Sequence, residues 1–173
     1  MNAPCPVAVV IGAGDATGGA IARRFAREGF TLCVTRRNVD SLSELVSQIE
    51  HEGGKAHAFG CDARSEEEMT ALFEQIERDI GPVEVVIFNI GANVHFSITE
   101  TTARVYRKVW EMAAFSGFLT GREAAKVMLP RGKGTMGFKM RYFKYLAMLA
   151  VLAIAIPAAT AHAQVVVGVG PGY

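Results

Sequence analysis

The run Val7-Ala-Val-Val-Ile-Gly12-Ala-Gly14-Asp-Ala-Thr-Gly18-Gly, continuing as Ala20-Ile-Ala-Arg-Arg-Phe-Ala-Arg-Glu-Gly29, reads as a buried strand, a glycine-rich turn and a helix. Val7 to Ile11 is continuously apolar, as a strand covered on both faces requires. Gly12, Gly14 and Gly18 make a tight turn without Cβ atoms. From Ala16 the pattern becomes helical, with Ile21 and Phe25 on one face and Arg23, Arg24 and Arg27 more exposed, and Gly29 suits the helix C-terminus. Backbone N–H groups and a helix N-terminus in this arrangement can receive a pyrophosphate. The spacing is Gly-x-Gly-x-x-x-Gly rather than Gly-x-Gly-x-x-Gly, so the motif draws its meaning from the rest of the chain.

Beyond Gly29 the theme repeats. A second apolar run, Phe30 to Thr35, ends at Arg36, Arg37 and Asn38. Ser41 to Glu44 has capping-box spacing, and Leu42, Leu45, Val46 and Ile49 recur at helical intervals before Gly53-Gly54. Lys55 to Gly60 predicts a third strand, closed by Cys61-Asp62. Ser65 to Glu68 is a second capping box, and Met69, Leu72, Phe73, Ile76 and Ile80 form the stripe of a third helix ending at Gly81-Pro82. Val83 to Asn89 predicts a fourth strand. Residues 99–128 can be helical for much of their length, with Val105, Val109, Met112 and Ala113 on one face and Gly117 and Gly121 weakening the later part. Short β-rich runs alternating with helices predict βαβ units and a parallel sheet, with strand one central and a ligand crevice between strands one and four.

Composition narrows the function classes. The 173 residues are 50% hydrophobic and carry a net charge of +1, with no basic patch interleaved with aromatics, so nucleic acid is not an expected partner. Cys5, Cys33 and Cys61 form no Cys-x-x-Cys motif, and His51, His57, His95 and His162 show no ligand spacing, so no metal site is expected.

Taken in order, these motifs resemble the short-chain dehydrogenase/reductase family over roughly residues 6–135. The family's Gly-x-x-x-Gly-x-Gly loop falls on Gly12, Ala16 and Gly18, with alanine in place of the middle glycine. Phe88-Asn89-Ile90-Gly91 resembles its Asn-Asn-Ala-Gly segment, retaining Asn89 and Gly91. The resemblance implies a nicotinamide dinucleotide held by Gly12, Gly14, Asp15, Ala16, Thr17, Gly18, Arg36, Arg37, Asp62, Asn89 and Gly91. Arg36 stands where NAD-preferring members carry an acid, which implies NADP(H) rather than NAD(H). Asp62 matches the aspartate that contacts adenine.

Catalysis departs from the family. Ala114 stands where its active-site asparagine belongs. The catalytic Ser and Tyr-x-x-x-Lys are expected beyond a fifth strand beginning near Gly134-Thr135, yet none of Tyr106, Tyr142, Tyr145 and Tyr173 has lysine four positions on. No catalytic residue carries over. A small carbonyl or alcohol substrate is expected only with that missing half.

At Met136 the composition changes. Lys139, Arg141 and Lys144 lead into the uncharged run Tyr145 to Ile156, then Pro157 and Ala161-His162-Ala163-Gln164, which resembles a bacterial secretory signal peptide with an Ala-x-Ala cleavage site. A chimaeric reading frame, a membrane anchor through residues 145–161 and a core helix replacing lost parts of the fold each account for such a tail. The favoured expectation is a chimaera: a cytoplasmic Rossmann-like α/β domain over residues 1–135, doubly wound but truncated to about four parallel strands, joined to a hydrophobic C-terminal helix within 136–173. Val165 to Val169 is a β-prone run that could pair with the edge of strand four. An uncovered strand-four edge also predicts self-association.

Overall fold

The computed structural model describes residues 5–91, 97–138 and 162–167, the last segment as backbone. In chain order these form β1 (Val7–Ile11), α1 (Thr17–Arg27), β2 (Thr31–Arg36), α2 (Ser43–His51), β3 (Lys55–Gly60), α3 (Glu66–Asp79), β4 (Val83–Phe88), α4 (Ala103–Trp110), α5 (Ser116–Met128), β5 (Lys133–Phe138) and β6 (His162–Val167). The strands pair in the order β3-β2-β1-β4-β5-β6, every pair parallel. Parallel neighbours need crossovers of a dozen or more residues, which the intervening helices supply from β1 to β5.

Burial divides the sheet into two faces. Val7, Val9 and Ile11 of β1 join Cys33, Met69, Phe73, Ile76 and Leu119 on the side of α3 and α5. Ala8 and Val10 join Leu32, Val34, Leu42, Leu45 and Ile49 on the side of α1 and α2. That alternation comes from the two-residue period of a strand, and covering both faces explains why β1 reads as continuously apolar. In β4 the alternation breaks once. The register passes from Val7 opposite Val83 to Ala8 opposite Val85, so Glu84 is the extra residue of a bulge. Val83, Val86 and Phe88 thereby share one face, while Glu84 pairs with Lys133 of β5 at 2.8 Å.

The sheet does not stop at four strands. Val85 to Phe88 pair with Thr135 to Phe138, so the edge of β4 is covered and the outer strands among the described residues are β3 and β6. The expected boundary after Thr135 falls inside β5, where Met136 is buried and the Phe138 ring lies 5.7 Å from that of Phe88. The fifth strand begins where expected, near Gly134-Thr135, but Gly134 and Gly137 mask its continuation to Phe138, because its stability comes from pairing and packing rather than from residue propensity. β6 adds to β5, with His162 opposite Lys133 and Val167 opposite Phe138, and not to β4. His162, Ala163 and Gln164 of the expected cleavage site are therefore backbone-paired. The apolar run 145–161, and with it the expected C-terminal helix, lies outside the described residues. Among the described residues no helix is long and apolar enough to cross a membrane.

Helix ends obey the expected chemistry in part. The Ser65 hydroxyl accepts from the Glu68 N–H, as a capping box requires, but the Glu68 carboxylate accepts from the Asp62 N–H instead of closing the box. Ser41 does not cap α2. A short 3₁₀ turn, Val39–Leu42, precedes that helix, and the Asn38 side chain accepts from the Asp40 N–H at its start. At the far end of the sheet, the Glu77 carboxylate accepts from the Val83 N–H and from both terminal nitrogens of Arg131, which also donates to the Val83 carbonyl. This clamp joins α3, the start of β4 and the turn before β5.

Candidate functional site

The chain reverses direction across the sheet between β1 and β4, since β1 is flanked in space by β2 on one side and by β4 on the other. Loops leaving such neighbours diverge and open a crevice at the strands' carboxyl ends. A cleft of about 250 Å³ lies there. Its walls are Gly12, Ala13 and Gly14 after β1, Thr35, Arg36 and Arg37 at the end of β2, Cys61 to Arg64 after β3, Asn89 to Gly91 after β4, and Met112 and Ser116 from the helical layer.

The glycines of the loop do different jobs. Gly12 sits at φ +83°, and a Cβ there would lie 2.7 Å from Ile90 Cγ1. A Cβ on Gly18 would lie 2.8 Å from Ala13 Cα and 2.9 Å from the Gly12 carbonyl oxygen. Both positions are small because the loop packs on itself and on the end of β4. Gly14 is different: the nearest heavy atom to its missing Cβ is Arg36 Nη1, at 4.0 Å. The space kept open by Gly14 therefore belongs to the cleft.

Asn89 fixes the loop from the other side. Its Nδ2 donates to the Gly12 carbonyl at 3.0 Å, and its backbone N–H donates to the Ile11 carbonyl at 2.8 Å. The loop is also tied to β2, where the Thr35 carbonyl accepts from the N–H groups of Gly12 and Ala13. Helix α1 then begins at Thr17 without a side-chain cap hydrogen bond at Ala16 or an acidic residue in its first turn.

Of the residues expected from sequence, Gly12, Gly14, Arg36, Arg37, Asp62, Asn89 and Gly91 line the cleft together. Asp15, Ala16, Thr17 and Gly18 do not line it: Asp15 and Ala16 are exposed beside it, and Gly18 is buried behind the loop. Asp62 lines the cleft just after β3, and its carboxylate is already engaged. Arg64 donates through Nε to Oδ1 at 2.9 Å and through Nη2 to Oδ2 at 2.6 Å, and the Arg64 N–H donates to Oδ1 as well. These bonds, with the nearby positive charges of Arg64 and Arg37, hold the Asp62 carboxyl below the ordinary carboxylate range against a smaller opposing effect of burial.

Sequence reasoning missed Arg64, Met112 and Ser116. The helical layer contains a π-turn, Glu111–Phe115, between α4 and α5, and wider turns of this kind shift the face that a helix presents. Ala114 lies in that turn and does not line the cleft. Ser116 does, and its hydroxyl donates to the Met112 carbonyl at 2.6 Å. None of the expected face residues of α4 is fully buried, and Trp110 at its end is 46% exposed and stacked on Phe115.

Burial pushes the thiols of Cys33 and Cys61 up to about 12, with Glu68 and Asp62 adding to the effect at Cys61. Cys61 borders the cleft, yet it has almost no thiolate near neutral pH and is only 6% exposed. Cys5 is exposed. Thiol titration of the native chain at pH 8 is therefore expected to consume one equivalent quickly and the other two only after denaturation. Rapid loss of Cys61 in the native protein, read by peptide mass, would contradict this placement.

Comparison with known proteins agrees with the geometry. The family model described as short chain dehydrogenase matches residues 6–136. The 7alpha-hydroxysteroid dehydrogenase of Escherichia coli K12 is 31% identical over 129 residues, covering 75% of this chain and 50% of that protein. A crystal structure of a short-chain dehydrogenase from Rhodopseudomonas palustris is 50% identical and superposes with a TM-score of 0.71 over 77% of this chain and 62% of that one. Actinorhodin polyketide ketoreductase, solved as an F189W variant with NADPH, is 29% identical with a TM-score of 0.74, covering 78% of this chain and 52% of that one. The chain spans about half the length of the curated relatives it matches. The strand order, the glycine loop locked by Asn89 and the match over residues 6–136 together make this chain a member of the short-chain dehydrogenase family.

Proposed function

We propose that the cleft between β1 and β4 binds a nicotinamide dinucleotide, NADP(H) in preference to NAD(H), and that this chain supplies the cofactor-binding half of a short-chain oxidoreductase. The observation that carries the reading is Gly14, whose absent side chain leaves room in the cleft and not in the protein's own packing. The dinucleotide would lie along the Gly12–Gly18 loop with its pyrophosphate at the start of α1. Asn89 and Gly91 would border the nicotinamide ribose, and Arg36 and Arg37 the adenosine end. When bound, the cofactor supplies hydride-transfer chemistry. The residues of this chain bind and orient it, and guanidinium groups at the end of β2 favour a 2′-phosphate over a bare ribose hydroxyl.

Hydride transfer to a carbonyl also needs a proton donor within hydrogen-bond reach of the substrate oxygen. The Tyr-x-x-x-Lys pattern that would provide it is absent from the sequence, and Ser116, the hydroxyl of the helical layer that lines the cleft, donates to Met112. Carbonyl or alcohol turnover is accordingly proposed only for a protein with those further groups. Fluorescence titration is expected to give NADPH a Kd at least about tenfold below that of NADH, a preference of one phosphate–arginine contact. With ketones and aldehydes the same preparation should show no NADPH oxidation. Tighter binding of NADH would contradict the preference, and carbonyl-dependent oxidation would contradict the division of labour.

A second reading concerns residues 136–173. Their composition supports a signal-peptide-like sequence fused in frame to a cytoplasmic domain, or membrane contact through 145–161. The pairing of β6 on β5 supports a tail that completes the sheet. Intact mass of the purified chain separates these: a product ending at Ala163 supports processing, and the full mass in a soluble fraction supports the sheet.

A further inference from the structure

Three guanidinium groups, those of Arg36, Arg37 and Arg64, line one cleft, and Asp62 is the single carboxylate among its lining residues. An uncompensated carboxylate there would repel a phosphate brought to Arg36 and Arg37. Arg64 holds both carboxylate oxygens of Asp62 in a fork at 2.9 and 2.6 Å, while the Glu68 carboxylate fixes the Asp62 backbone N–H. The pair is only part-exposed, 35% for the Arg64 side chain and 28% for Asp62, so solvent screens it incompletely. Planar bidentate pairing of this kind is specific to arginine, since lysine offers a point charge and no fork.

We infer that Arg64 is a positioning residue for cofactor selection: by neutralising Asp62 it keeps the adenosine end of the cleft receptive to a 2′-phosphate. The inference rests on the proposal of dinucleotide binding and adds to it a residue other than Arg36, Arg37 and those of the glycine loop. With Arg64 in place, Asp62 presents no uncompensated negative charge and three of its acceptor sites are filled by Arg64. With Arg64 removed, only the weaker influence of Arg37 offsets the carboxylate, which then repels a phosphate and has its sites free to accept hydrogen bonds from a hydroxyl or amino group of the ligand.

The test is a titration of the full chain and its Arg64→Met and Arg64→Met/Asp62→Asn variants with NADPH and with NADH. Methionine keeps much of the apolar stem of the side chain and removes its charge. Arg64→Met is expected to weaken NADPH about tenfold and to leave NADH unchanged or tighter, as one uncovered charge in a partly solvated site predicts. Adding Asp62→Asn should restore most of the NADPH affinity, a rescue that loss of structure would not produce. If the unmodified chain binds both dinucleotides and Arg64→Met leaves their ratio unchanged, the dinucleotide reading stands and the role of Arg64 is overturned. Equal weakening of both ligands without rescue by Asp62→Asn overturns it too. Binding of neither dinucleotide by the unmodified chain fails the reading itself and takes this inference with it.

Discussion

Gly18→Ala is expected to cost about 2–3 kcal/mol of stability, although alanine is the better helix former by about 1 kcal/mol. The new methyl would sit 2.8 Å from Ala13 Cα and 2.9 Å from both the Gly12 oxygen and Asn89 Nδ2. Two of these three neighbours are backbone, so relief requires the loop to move off α1. The third is the amide that holds the loop to β4, so the same methyl also breaks the Asn89–Gly12 bond. Because the loop forms a wall of the cleft, dinucleotide affinity should fall with stability. Urea unfolding measures the first effect and ligand titration the second. An unchanged midpoint would mean that Gly18 is not packed as described.

Glu77→Ala carries the other large effect, at the opposite end of the sheet. Removing this carboxylate leaves the Val83 N–H without its acceptor and strips two hydrogen bonds from Arg131, whose side chain is 34% exposed. An orphaned donor next to a partly buried, newly unpaired guanidinium costs about 2–4 kcal/mol, more than a surface ion pair contributes. Glu77→Gln should recover part of this, since its carbonyl oxygen can still accept from Val83. Thermal unfolding of the two variants gives the comparison, and a loss under about 0.5 kcal/mol for Glu77→Ala would place the clamp among ordinary surface pairs. Cofactor binding should change little below the unfolding transition, because the clamp lies away from the carboxyl ends of the strands.

These two positions also show what the sequence reveals and what it withholds. The glycine loop is legible because its constraint is local. A strand must turn into a helix within a few residues, and few residue types can make that turn. Arg36 and Asn89 are legible at the same level, as residues at strand ends in a parallel sheet whose order is implied by the alternation of elements. Glu77 sits in the last turns of α3 and reads as one more solvated acid, and its partners Val83 and Arg131 are brought to it only by the fold.

The remaining departures have similar causes. Arg64 is two residues from Asp62, but adjacency does not reveal whether a side chain forks onto its neighbour or extends into water. Ser116 and Met112 are hidden by the π-turn at Glu111–Phe115, since a face extrapolated at 3.6 residues per turn is displaced beyond it. The start of β5 is legible near Gly134-Thr135, but its glycines hide how far it runs. Its run Gly134-Thr135-Met136-Gly137-Phe138 has weak strand propensity, and the neighbouring β4 supplies the order. The abrupt change of composition at Met136 then reinforces a boundary that the sheet ignores, since β5 runs through it to Phe138.

In the proposed function, the space beside Gly14 is kept open for a ligand. The most direct measurement is calorimetric titration of NADPH into the chain and into Gly14→Val, with unfolding midpoints recorded for both. The nearest atom to a Cβ at this position is 4.0 Å away, at the movable end of Arg36, so the variant should unfold within about 0.5 kcal/mol of the parent, as a substitution that meets no packed neighbour does. Its added carbons would occupy the cleft, and NADPH affinity should drop at least about tenfold, or about 1.4 kcal/mol. A Gly14→Val chain that binds NADPH as tightly as its parent, or a parent that binds no dinucleotide, would contradict the account.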